Sequence, residues 1–123
     1  MTNHELAMLA FVKLARVSEE KNQPAGCDRF LSLAAKEACY AGVLDVAERC
    51  RELVGLNNPH HVLAKAGSCT DAVRDVENSA FFKSLERVCS FEHAEHLLAN
   101  LNITIDETDT KAAAESELTQ IHR

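Results

Sequence analysis

Three residues in the last third of the chain carry side chains that bind transition metals. Cys89, His93 and His96 are spaced by four and three residues, which places them on one side of a helix. Thiolate and imidazole are ligands that Zn²⁺ accepts, and a fourth ligand would have to come from Cys69 or His61. A zinc or small-ligand site at Cys89, His93 and His96 is therefore one interpretation of this segment.

The other interpretation of this helix side is a polar face exposed to solvent. It lies opposite Phe91, Ala94 and Leu98, which are expected to face the core. Ser90 is a suitable N-cap, and a cap at that position leaves Cys89 outside the helix. We favour the solvated face and keep the metal site as the alternative.

His60, His61 and Tyr40 are further candidates for a site. The two histidines are adjacent, so they point about 100° apart on a helix and do not form a ligand pair unaided. We expect surface positions for both, or one of them packed against a neighbouring helix. Tyr40 either lines a groove or packs its ring at a helix end with its hydroxyl in water.

The usual catalytic motifs are missing from the chain. Its glycines stand only at positions 26, 42, 55 and 67, so neither a phosphate-binding loop nor a nucleophile elbow can be written. No His-Glu-x-x-His or Glu-x-x-His motif occurs. We therefore predict no catalytic activity, with an enzyme that uses an unfamiliar site left open.

The five cysteines are widely spaced and include no Cys-x-x-Cys pair; they are Cys27, Cys39, Cys50, Cys69 and Cys89. An odd, sparse set differs from the disulfide frameworks of secreted proteins, so we expect reduced thiols in the cytoplasm. Several of them should pack as small apolar residues. Cys50 lies within an apolar helix face, whereas Cys27, in a connector ahead of Asp28, is expected to be the most exposed.

Composition favours an all-α domain. The chain has 123 residues, 46% of them hydrophobic, with four Gly and two Pro, and Ala and Leu dominate over β-branched types. The net charge is −6 without a strongly basic stretch, which disfavours nucleic acid and anionic membranes as partners. Lys13 and Arg16 interrupt the apolar amino-terminal stretch, so we expect no membrane span.

The apolar spacing predicts about six helices in antiparallel hairpins, arranged as a bundle or a short repeat-like array. The first helix should end near Glu19, and its apolar residues on more than one side suggest a dimer interface or docking surface. Asp28 is the expected cap of the second helix, and Gly42 should end it. The third helix should be closed by Gly55, and the short connection at Gly42 predicts an antiparallel hairpin.

The second half of the chain carries further helix signals. Asn58 followed by Pro59 predicts a cap and a first helical position. Either Ser68 or Thr70 is expected to cap the next segment, with a kink near Asn78 and Ser79. Residues 1–105 are predicted to form a single helical domain. Residues 106–123 are predicted to be an acidic tail that is frayed or only partly ordered.

The segment from Ala41 to Pro59 resembles the second half of a tetratricopeptide repeat. Gly42, then Ala47 five residues later and Pro59 twelve residues after that, stand at the spacings of that family. The resemblance covers about thirty residues well, and a weaker echo surrounds Ala94. It implies a scaffold for protein–protein interaction with a concave helical groove.

These observations predict a cytoplasmic protein-binding or assembly module that meets a protein partner or associates with itself. The alternative is a metal- or small-ligand-binding helical protein that uses Cys89, His93 and His96.

Overall fold

The computed structural model describes residues 3–105 and 108–123 of the chain. The described residues form eight α-helices and contain no strand, so the predicted all-α class is confirmed. The helices are α1 (Asn3–Glu20), α2 (Pro24–Ala41), α3 (Leu44–Asn57), α4 (Val62–Lys65), α5 (Cys69–Arg74), α6 (Ser79–Val88), α7 (Phe91–Asn100) and α8 (Thr110–Leu118), with a 3-10 turn at Val76–Asn78. None of the described helices has the length and apolarity needed to cross a bilayer.

Helix α1 lies at the centre of the molecule. It packs against α2, α7 and α8, while α2 also contacts α3, α5 and α6. With neighbours on several sides, α1 buries an almost continuous run of side chains; these are Ala7, Met8, Leu9, Ala10, Phe11, Val12, Leu14 and Ala15. The chain itself covers the apolar sides of α1, which corrects the expectation of a docking surface there.

The α2–α3 hairpin forms as predicted around Gly42. This residue has a φ of +79°, and its N–H bonds to the carbonyl of Cys39 at 3.2 Å. The next N–H, of Val43, bonds to the carbonyl of Ala38 at 2.9 Å. These two bonds satisfy the last carbonyls of α2, and glycine adopts the left-handed conformation without the penalty that a Cβ imposes.

Two predicted helix boundaries are wrong in this hairpin. Helix α2 begins at Pro24 rather than after Asp28, because proline at the first helical position has the φ angle that a helix needs. Asp28 is buried inside α2 and accepts hydrogen bonds from other elements. Gly55 does not close α3, which continues to Asn57, since glycine within a helix is costly but not forbidden.

The short helix α4 also begins later than predicted. The side chain of Asn58 accepts from the N–H of His60 at 3.1 Å and so supports a turn rather than a helix. His61 is the cap of α4, and its Nδ1 accepts from the N–H of Leu63 at 3.1 Å. The caps predicted at Ser68 and Ser90 are confirmed, and the expected kink at Asn78 is a 3-10 turn between α5 and α6.

The last helix, α8, packs against α1 and α3. Ala114 and Leu118 on α8 are buried, as is Ile121 beyond it. Lys13 and Arg16 of α1 form ion pairs with Glu117. The sequence predicted a partly ordered tail over residues 106–123; residues 106 and 107 lie outside the described part, and residues 110–121 contribute to the same core as the helices before them.

Candidate functional site

The structure does not gather Cys89, His93 and His96 into a metal site. Cys89 ends α6 and is buried, with its thiol 3.6 Å from the carbonyl oxygen of Ser90. His93 and His96 lie exposed on α7. Across residues 3–105 and 108–123, no three His, Cys, Asp or Glu side chains are placed to hold a metal ion. Cys89 and His93 line one recess of about 130 Å³, whereas His93 and His96 line another. Ser90 caps α7 and leaves Cys89 outside that helix.

The two residues considered as a fourth ligand lie elsewhere. The imidazole of His61 packs edge-on against Phe81, with ring centroids 5.2 Å apart, and burial lowers its pKa below the ordinary value. Its neighbour His60 is exposed, so one histidine packs against another helix and the other faces water. Cys69 is buried beside Cys39, far along the chain from Cys89.

A surface depression surrounds Tyr40 and consists of two adjoining recesses. Both are lined by Tyr40, Val73 and Arg74. The first, about 300 Å³, is also lined by Lys36, Asp75, Val76, Ser79, Phe82, Lys83 and Glu86. The second, about 320 Å³, is also lined by Cys39, Gly42, Leu44 and Thr70. We call the two recesses together the Tyr40 groove, and it runs between α2 with the start of α3 on one side and the α5–α6 segment on the other.

Lys36 forms the buried end of the first recess. Its ammonium pairs with Glu86 of α6 and lies 3.8 Å from a carboxylate oxygen of Glu37. The same ammonium is 5.8 Å from the centre of the Tyr40 ring. Burial lowers the pKa of Lys36, while the Glu37 carboxylate opposes that effect. The lysine thus links α2 to α6 through Glu86 and lies near the face of the Tyr40 ring.

The rim of the Tyr40 groove combines exposed apolar side chains with cations. Tyr40, Leu44 and Val76 are 58%, 51% and 86% exposed. Arg74 and Lys83 are exposed, and neither forms an ion pair with an acid in the described part of the chain, whereas Lys36 of the same recess pairs with Glu86. The lining of the first recess has three cations, Lys36, Arg74 and Lys83, against two acids, Asp75 and Glu86, so it is positive on a chain whose net charge is −6.

The second recess leads to a pair of thiols. Cys39 on α2 lies 3.4 Å, sulfur to sulfur, from Cys69 at the start of α5, and Cys39 is half-buried where it lines the recess. The other three cysteines are fully or almost fully buried, which confirms that several of them pack as small apolar residues. Cys27, predicted to be the most exposed, is among these three because α2 begins three residues before it, and burial raises its pKa to about 12.

Sequence reasoning considered Tyr40 but missed Lys36, Arg74 and the pairing of Cys39 with Cys69. Lys36 carries one available signal, since it stands at helical spacing between Leu33 and Tyr40 on a face that is otherwise apolar. The thiol pair carries none, because thirty residues separate its members and only helix packing brings them together.

The chain matches no family model, no curated protein and no solved structure. The resemblance of residues 41–59 to a tetratricopeptide repeat therefore remains a prediction.

Proposed function

We propose that this protein is a protein-binding module whose Tyr40 groove accepts a segment of a partner that presents an apolar side chain flanked by carboxylates. The observation that carries this proposal is the combination of exposed Tyr40, Leu44 and Val76 with Arg74 and Lys83, which pair with no acid among residues 3–105 and 108–123, around one depression. An exposed apolar cluster with a polar rim is typical of interaction sites.

The apolar part of the groove supplies the anchor. Aromatic side chains at the centre of an interface often contribute most to affinity, because they bury a large area at a small entropy cost. The Tyr40 ring is held in place by the ammonium of Lys36 and by the imidazole of His4, whose ring centroid lies 5.2 Å away. A preformed anchor of this kind reduces the ordering cost of binding.

The charged part of the groove supplies selectivity for acidic partners. Lys36 is neutralised by Glu86, so it adds little net charge to the surface. Arg74 and Lys83 keep their positive charge on an otherwise acidic molecule and would attract the carboxylates of a partner. Arg74 lines both recesses and can pair with a carboxylate through two parallel hydrogen bonds.

The proposal is tested by selecting linear peptides from a phage-displayed random library on the immobilised protein. We expect enriched sequences with an apolar residue next to Asp or Glu, and measurable binding of the synthetic peptides by fluorescence anisotropy. Tyr40→Ser should weaken that binding about thirtyfold or more, because loss of a central anchor costs about 2 kcal/mol. Arg74→Glu should reduce the affinity for acidic peptides more than the affinity for neutral peptides.

Two exposed residues outside the groove provide matched controls. Leu101→Ser removes an exposed apolar side chain, and Arg49→Glu reverses an exposed arginine on α3; neither should change peptide affinity. Thermal unfolding of every variant establishes that the fold is retained. Failure to enrich any peptide, or equal losses in the groove and control variants, would overturn the proposal. Concentration-dependent self-association that Tyr40→Ser abolishes would assign the groove to a second copy of the chain instead.

A further inference from the structure

Cys39 and Cys69 form a pair of thiols that differ in their access to solvent. Their sulfurs are 3.4 Å apart, and the sulfur of Cys69 is also 3.8 Å from the carbonyl oxygen of Ala35. Cys39 lines the second recess of the Tyr40 groove, whereas Cys69 is fully buried behind it. A small oxidant in the recess therefore meets the Cys39 sulfur first.

The surroundings make Cys39 the more acidic thiol of the pair. The pKa of Cys39 lies below the ordinary thiol value, mainly because of its hydrogen bond with the Cys69 thiol, with the Thr70 hydroxyl and the charge of Arg74 acting in the same direction. Burial and the Glu48 carboxylate oppose this effect. The pKa of Cys69 is raised, first by its hydrogen bond with Cys39 and then by burial, so Cys69 keeps its proton. The thiolate is the reactive form of cysteine.

We propose that Cys39 and Cys69 are a hydroperoxide-oxidised dithiol, in which Cys39 is the attacking residue and Cys69 the resolving residue. This inference is independent of whether the groove binds a protein partner.

The reaction proceeds in two balanced steps. The Cys39 thiolate attacks the distal oxygen of a hydroperoxide; an S–O bond forms as the O–O bond breaks, and the departing alkoxide or hydroxide takes up a proton, leaving Cys39 as a sulfenic acid. The Cys69 sulfur then attacks the Cys39 sulfur, an S–S bond forms, the S–O bond breaks, and the hydroxide leaves with the Cys69 proton as water. The two thiols lose two electrons in total, and the peroxide gains them.

The geometry leaves little movement for the second step. An S–S bond is about 2.05 Å long, so two sulfurs now 3.4 Å apart need to approach by about 1.4 Å. Cys69 is the first residue of α5, a helix of only six residues that follows the non-helical residues 66–68. The bond would link α2 to α5 and close a loop across the groove.

The test is oxidation of the full chain by hydrogen peroxide under native conditions. The remaining free thiols are then alkylated, and the protein is digested with trypsin and analysed by mass spectrometry. Cleavage after Lys36 and Arg49 isolates Cys39 within residues 37–49, and cleavage after Lys65 and Arg74 isolates Cys69 within residues 66–74. We expect a single cross-linked product that joins these two peptides and separates on reduction. We also expect the oxidised protein to unfold at a higher temperature than the reduced protein, since the cross-link restricts the unfolded chain.

Cys69→Ala identifies the order of the steps. In this variant the sulfenic acid of Cys39 has no resolving thiol, so dimedone should label residues 37–49 in the variant and not in the wild type. Cys89→Ala, which removes another buried cysteine, should leave the cross-link unchanged. A cross-link to another cysteine, intermolecular disulfides, or equal dimedone labelling with and without Cys69 would overturn the inference, as would an unreacted Cys39 in wild-type protein.

Discussion

At the scale of single residues, hydrogen bonds and ion pairs of buried polar side chains link helices that pack together through the apolar core. The side chain of Arg123 is almost fully buried, and its Nη1 donates to Asp28 at 2.5 Å and to the carbonyl of Leu53 at 2.9 Å. Its Nε donates to Glu19 at 3.0 Å. Asn57 donates to the other oxygen of Asp28 at 2.6 Å. One guanidinium thus joins α1, α2 and α3, and the buried Asp28 has a partner on each oxygen.

Burial of His61 predicts a pH dependence of stability. It lowers the pKa of His61 below the ordinary value of 6.5, and Asp28 opposes the shift. Below about pH 6.5 the unfolded chain takes up a proton at His61 while the folded chain stays neutral, so stability is lost as pH falls towards the folded pKa. His61→Asn keeps an oxygen for the N–H of Leu63 and removes the titration. We expect the stability gap between wild type and His61→Asn to narrow as pH falls from about 7.5 to about 5.

Chemical denaturation at each pH measures this gap. The other five histidines are present in both proteins, so their contributions cancel in the difference. Parallel stability curves for the two proteins would contradict a buried, neutral His61.

At the scale of elements, two glycines have different roles: one ends a helix, and the other lies inside a helix. Gly42 lies in the left-handed region after α2, whereas Gly55 lies inside α3. A Cβ at Gly55 would meet only the Cβ of Ala64, at 3.4 Å. The sequence predicts that each of these glycines ends a helix, but only Gly42 does.

The pair predicts opposite responses to the same substitution. Gly42→Ala should lower stability by about 1–2 kcal/mol, because alanine in the left-handed conformation is strained. Gly55→Ala should be neutral or stabilising by up to about 1 kcal/mol, because alanine is the better helix former. Urea denaturation of the two variants measures both values, and equal losses would mean that α3 ends where the sequence first suggested.

At the scale of the whole molecule, α8 completes the enclosure of α1. Leu118 is 1% exposed and belongs to the same core as the buried residues of α1. The ion pairs of Glu117 with Lys13 and Arg16 fix α8 along α1. The fold therefore places a segment with few apolar residues in a structural role.

Leu118→Ala tests that role. Truncation of a buried leucine costs about 2–5 kcal/mol through lost burial and the cavity left behind. Leu56→Ala, at a residue 62% exposed, is the matched control and should change stability by less than about 0.5 kcal/mol. A frayed tail would instead make the Leu118 variant as stable as the control in thermal and urea unfolding.

The sequence by itself determined the all-α class, the α2–α3 hairpin and the starts of α5 and α7, because alanine and leucine at helical spacing, the caps at Ser68 and Ser90, and Gly42 act through neighbours within one or two turns. It also separated Cys89 from the helix of His93 and His96 through the cap at Ser90. Only the tertiary structure brought Cys39 to Cys69, opened the groove beside Tyr40, buried Lys36 and packed α8 on α1. Those contacts join residues far apart in the chain, and they depend on how whole helix faces pack together, which no local spacing encodes.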